Sequence, residues 1–204
     1  MPSSRSIVAT IVAVLLAAAP LSAYQYPLSE TSSRSAYFLG QRHDETTGEF
    51  LARYSKHLPP PRTGLYVSDI SFLTPYAQLV QYSSHQGIYS AQQAELDGPK
   101  NLSTVEIVVY IYFSNPNISS TQLTGNSWRD YAVRVFDGKE LREPVSVSGQ
   151  SVSRCLNRGG CIRVGTEIFL SLPAEVFASD TATIEVTTPD DQLISVDFNL
   201  NSLR

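Results

Sequence analysis

Along this chain the spacing of apolar residues changes from a period near 3.6 to a period of 2, and the change divides it into a helical part and a strand-rich part. Between Tyr24 and about Leu58 the apolar positions form helical stripes. Thr46-Thr47-Gly48-Glu49 has the form of a capping box, and Phe50, Leu51, Tyr54 and Leu58 follow on one face. An earlier stretch, Ser29 to Gly40, ends in Ala36, Tyr37, Phe38 and Leu39 and a glycine suited to a helix stop. Two short helices are predicted. Pro59-Pro60-Pro61 can continue neither of them and reads as a stiff extended connector.

Past the connector, Leu65 to Leu73 reads as a strand with Ile70 and Phe72 on alternating positions. Thr74-Pro75 is an N-cap followed by proline at the first helical position, ahead of Tyr76, Leu79 and Val80. Ser90-Ala91-Gln92-Gln93 is a further capping box, and Gly98-Pro99 is a stop signal. These signals predict short helices near 75–84 and 90–97.

From Ser103 onward the period changes to 2. Val105, Ile107, Val109, Ile111 and Phe113 share one strand face, with Glu106, Tyr110 and Tyr112 on the other. Tyr131, Val133 and Val135 repeat the pattern before the hairpin dipeptide Asp137-Gly138, and Ile162, Val164, Ile168, Leu170 and Leu172 continue it. Ile184 and Val186, then Ile194, Val196 and Phe198, flank the turn Pro189-Asp190-Asp191. Strands apolar on one face only belong to antiparallel sheets. The prediction is a mainly β, α+β protein: a helical N-terminal region over 24–61 packed on an antiparallel β-sandwich over 62–204, immunoglobulin-like in general architecture.

The first 23 residues have the form of a secretory signal peptide. Arg5 supplies the charge, Ile7 to Ala19 the apolar run, and Leu21-Ser22-Ala23 the small-residue cleavage site, with cleavage expected before Tyr24. The apolar run is too short for a bilayer-spanning helix, which needs about 20 residues, and no transmembrane segment is expected after cleavage. The expected location is therefore exported, periplasmic or secreted. Cys155 and Cys161, the two cysteines, enclose a turn with Gly159-Gly160, and in an oxidising compartment they are expected to form a disulfide across a hairpin mouth.

Only 17% of the 204 residues are charged, while Ser and Thr number 41, so the polar surface is rich in hydroxyls. The net charge of -4 and scattered Lys and Arg argue against nucleic acid as a partner. No pattern implies a cofactor or a metal. His43-Asp44-Glu45 cannot converge on one ion, because successive helical side chains point about 100 degrees apart. His57 falls in the last turn of a predicted helix, where it complements the dipole. His85, in a predicted loop beside Ser83 and Ser84, is the one residue on which a small extracytoplasmic hydrolase could be built, with a nearby serine or acid.

Two features suit recognition. The polar loop from Ser114 to Ser127 carries Asn115, Asn117 and Asn126 and ends at Trp128, a combination fitted to sugars or to a partner protein; an ordinary loop whose Trp plugs the core edge is the plainer reading. All eleven tyrosines lie between Tyr24 and Tyr131. Tyr110 and Tyr112 project from the face opposite the Val-Ile core face, where they could form a recognition surface or join the helical part to the sheet.

Ala36-Tyr37-Phe38-Leu39-Gly40-Gln41-Arg42, Lys56-His57-Leu58-Pro59-Pro60-Pro61 and Tyr89-Ser90-Ala91-Gln92-Gln93-Ala94-Glu95 resemble stretches of a family of exported bacterial proteins with no assigned activity. The resemblance implies bacterial export and brings no ligand or site with it. Asn101-Leu102-Ser103 and Asn117-Ile118-Ser119 match glycosylation sequons, which bear only on a eukaryotic source. The expected function is that of an exported non-enzymatic binding or structural module, which recognises an envelope or extracellular protein, or a glycan.

Overall fold

The structure, a computed structural model, describes residues 24–86, 90–114, 126–155 and 160–204, with backbone alone for 97–101. The expected signal sequence over 1–23, Tyr89, Asn115, Asn117 and Gly159 lie outside the described residues.

The strands are β1 (Ser55–His57), β2 (Leu65–Leu73), β3 (Thr104–Phe113), β4 (Ala132–Asp137), β5 (Glu140–Arg142), β6 (Ser146–Cys155), β7 (Cys161–Pro173), β8 (Thr181–Thr187) and β9 (Leu193–Asn199). They form two antiparallel sheets, in the orders β1-β2-β3-β7-β6 and β5-β4-β8-β9. The expected α+β class with antiparallel sheets is what the structure has.

One apolar cluster joins the two sheets. Ile70, Phe72, Ile107, Val109, Ile168 and Leu170 face Val135, Ile184, Val186 and Phe198. Phe72 of β2 meets Phe198 of β9 at 5.6 Å between ring centroids and Phe177 at 5.1 Å. Each such fully buried ring contributes roughly 1.5–3 kcal/mol. In β2 the core-facing parity switches from odd at Val67 to even at Ile70, because a bulge falls between Val67 and Asp69. Ser68, the extra residue, is buried and donates its hydroxyl to the Tyr110 carbonyl at 3.2 Å.

Four helices gather at the end of the sandwich where β2 stops and β3 begins: α1 (Glu30–Gln41), α2 (Glu45–Ala52), α3 (Pro75–His85) and α4 (Ala91–Asn101). Leu28, Ala36, Tyr76, Leu79, Val80 and Ala94 form their own apolar cluster. Thr74 caps α3 as expected, and Ser29 caps α1. The cap of α2 is Asp44, which accepts from the Thr47 backbone N–H, and not the Thr46 box; Thr47 is buried and donates to the Leu39 carbonyl. Gly40 does not stop α1. It lies inside the helix, where an added methyl would fall 2.3 Å from the Val80 carbonyl of α3, so its role is close helix approach. Gly98-Pro99 does not stop α4 either, which runs on to Asn101, just short of β3.

The helical reading of 53–58 is also corrected. Tyr54 and Leu58 do not continue α2; the chain turns and enters β1, paired with β2 through Ser55↔Ser71 and His57↔Asp69. Cross-strand bonding to a sheet overrides a weak helical period here. The three prolines then lie in the connection between two paired strands.

Candidate functional site

Tyr110 and Tyr112 project, as their parity requires, from the outer face of the five-stranded sheet, where both are half-buried. Register places Tyr110 opposite Asp69 on β2 and opposite Glu167 on β7. Asp69 in turn faces His57 on β1, and Glu167 faces Gln150 on β6. One row, His57, Asp69, Tyr110, Glu167 and Gln150, thus crosses all five strands. His57 Nδ1 lies 2.5 Å from Asp69 Oδ1, and Gln150 Nε2 donates to Glu167 Oε2 at 2.8 Å.

A shallow recess of about 320 Å³ opens on this row, lined by Ser55, Asp69, Ser71, Tyr110 and Tyr112. The Ser55 and Ser71 hydroxyls are 2.7 Å apart. The Tyr112 ring lies across β7 at Gly165, where an added methyl would fall 2.7 Å from its Cδ1. Burial first, and then the negative charges of Glu167 and Asp69, hold both phenols above their ordinary pKa. Glu106, further along the same face, has its carboxyl raised by burial. The face is acidic and aromatic.

Next to the recess, Tyr66 pairs with Tyr112 and also lines a larger cleft of about 620 Å³ at the sandwich end away from the helices. Pro59, Pro61, Tyr131, Asp190 and Ile194 form its other walls. Tyr131 is 9% exposed, and burial, aided by Asp190 and Asp130, pushes its phenol up to about 12. Cys155 and Cys161 form their disulfide near this end, joining β6 to β7, with Cα atoms 3.9 Å apart.

Trp128 does not join the tyrosines. It sits in a 3-10 turn, Ser127–Asp130, half-buried against the core, with its ring so close over Gly149 of β6 that an added methyl there would lie 2.3 Å from Cγ. Gly149 pairs with core-facing Ile168, which puts the indole on the other face of the sheet. Asn126 is exposed just before that turn.

His85 is not in a loop but is the last residue of α3. It is exposed, and its Nδ1 lies 2.8 Å from the Gln81 carbonyl of its own helix. Ser84 Oγ is 3.2 Å from that nitrogen, but the hydroxyl donates to the same carbonyl at 2.7 Å. That proton is committed to the backbone, and neither residue lines the recess or the cleft. His57 is corrected from a helix end to strand β1. Among the described residues no three His, Cys, Asp or Glu side chains group as metal ligands, and no helix is long and apolar enough to cross a membrane. Compared with known proteins, the chain matches no family model and no curated protein.

Asp69, Glu167 and Gln150 escaped the sequence reading, which places His57 at a helix end, because only cross-strand register brings the four to Tyr110. Asp137 escaped it as well. Read as a turn residue, it is 3% exposed, and its carboxylate accepts from the Ala178 and Ser179 backbone N–H groups at 3.2 and 2.9 Å and from Arg142 at 3.1 Å.

Proposed function

We propose that the protein is an exported, non-enzymatic binding module of the cell envelope or extracellular space, which recognises a partner protein through the outer face of its five-stranded sheet. The observation that carries this reading is the row His57, Asp69, Tyr110, Glu167 and Gln150, which lines up polar and aromatic groups across every strand of one sheet beside an open recess. Tyrosine gives large contact area at small entropic cost, and a sheet holds it rigidly. The disulfide supports an oxidising compartment. Tyr24, the first residue after the expected cleavage site, is 4% exposed and donates to the Ala174 carbonyl at 2.6 Å, which supports a mature chain that retains it.

The test is chemical crosslinking and affinity isolation from the native envelope with the wild-type protein and with a Tyr110→Ala, Tyr112→Ala variant. One stoichiometric partner, lost in the variant, is the expected outcome. Turnover of a glycan, ester or peptide substrate that alanine at His85 abolishes would instead establish the hydrolase.

A further inference from the structure

The kind of partner group that fits the recess follows from the charges on either side of Tyr110, and this step rests on the outer face being the recognition surface. Neighbouring strands lie about 4.8 Å apart, so Asp69 and Glu167 flank Tyr110 with their backbones about 10 Å from each other. With Tyr110 between them the two carboxylates do not share a proton, and a single cationic side chain lying above the phenol ring can meet both. Each acid is anchored by one oxygen only: Asp69 Oδ1 by His57 and Glu167 Oε2 by Gln150. Asp69 Oδ2 and Glu167 Oε1 have no hydrogen-bond partner among the described residues.

The surroundings agree in sign. Glu106 adds a third carboxyl on the same face, without an ion pair among the described residues. The facing imidazole from β1, His57, is already on Asp69, and Arg163 stands four residues, about 13 Å, along β7 from Glu167. An aromatic ring beneath a cation contributes about 0.5–1 kcal/mol at an exposed site, and more when water is excluded. The Ser55 and Ser71 hydroxyls offer further acceptors at the recess wall.

We propose that the outer face at the rim of this recess takes the cationic side chain, lysine or arginine, of a partner polypeptide, seated over the Tyr110 ring between Asp69, which lines the recess, and Glu167, which stands on the other side of Tyr110.

The probes are Nα-acetyl-lysine methylamide, the same compound acetylated on its side-chain amine, and the neutral sugar maltotriose. Each is titrated into the folded, oxidised protein while the amide and side-chain resonances of Asp69, Tyr110 and Glu167 are followed by NMR. The free amine is expected to give saturable shifts with a dissociation constant on the order of millimolar, and the acetylated form none. Asp69→Asn with Glu167→Gln, which removes charge at nearly constant shape, is expected to weaken binding about tenfold. Should the double variant lose its fold, Glu167→Gln alone is expected to give about a threefold loss. Equal shifts from the acetylated probe, binding of maltotriose in place of the amine, no saturable shift, or unchanged affinity in the folded variants would each overturn the proposal. A partner that still crosslinks at Tyr112 while the amine fails to bind leaves the recognition face standing and removes only the cationic occupant. Failure of both removes the face as well.

Discussion

Tyr24 and Tyr131 hold their phenols inside the fold, and this has a measurable consequence at alkaline pH. Burial leads the shift in both; Tyr131 is pushed from its ordinary 10.0 up to about 12, and Tyr24 is raised further. A phenol that keeps its proton longer in the folded chain stabilises the fold below the unfolded pKa. That contribution is lost as pH rises from about 10 toward 12. Tyrosinate absorbance is therefore expected to lack the contribution of Tyr24 and Tyr131 until the protein unfolds; the full signal of all eleven tyrosines appearing near 10 in folded protein would contradict this. Asp137 makes a second prediction at this scale. Asp137→Ala leaves the Ala178 and Ser179 backbone N–H groups without their acceptor and Arg142 with Glu140 alone, and is expected to cost about 2 to 4 kcal/mol in denaturant unfolding.

Among the elements, the disulfide makes the sharpest prediction. It closes a short ring between β6 and β7, and loop-closure entropy for so short a ring gives about 2 kcal/mol. Cys155→Ser with Cys161→Ser is expected to lower stability by that amount, read from chemical denaturation, with an unchanged midpoint as the contrary result. β6 also marks the limit of what alternation can reveal. Its sequence Ser-Val-Ser-Gly-Gln-Ser-Val-Ser-Arg-Cys is polar on both faces because the strand lies at a sheet edge, so its period carries no burial signal. β3, β7 and β8 were legible because one face of each is buried. β1 was not: with three residues it has too few positions to show a period, and Tyr54 and Leu58 happen to fall four apart, as in a helix. Gly40 shows a different limit, since a glycine packed against a neighbouring helix and a glycine that ends one look alike in sequence.

Across the whole molecule, the helices cap one end of the sandwich, and the 620 Å³ cleft lies at the other. The chain terminus ties the helices to the sheets: the Tyr54 hydroxyl accepts from the Arg204 backbone N–H at 2.8 Å, and the Arg204 guanidinium lies 5.1 Å from the Tyr76 ring centroid. This arrangement leaves the recess on the five-stranded sheet open. Parity along one strand was enough to assign Tyr110 and Tyr112 to the outer face. Their partners were hidden for a physical reason: Asp69 and Glu167 are far from Tyr110 in sequence, and the bulge at Ser68 shifts the phase of β2.

Recognition through that face is the central claim, and site-resolved photo-crosslinking in the native envelope tests it most directly. A photoreactive residue is placed at Tyr112, on the outer face of the five-stranded sheet, and in a separate protein at Thr183, on the outer face of the other sheet. The account predicts one discrete adduct from position 112, absent from position 183 and diminished when Tyr110 is replaced by alanine. Equal adducts from both positions, or an adduct from 183 alone, would contradict it.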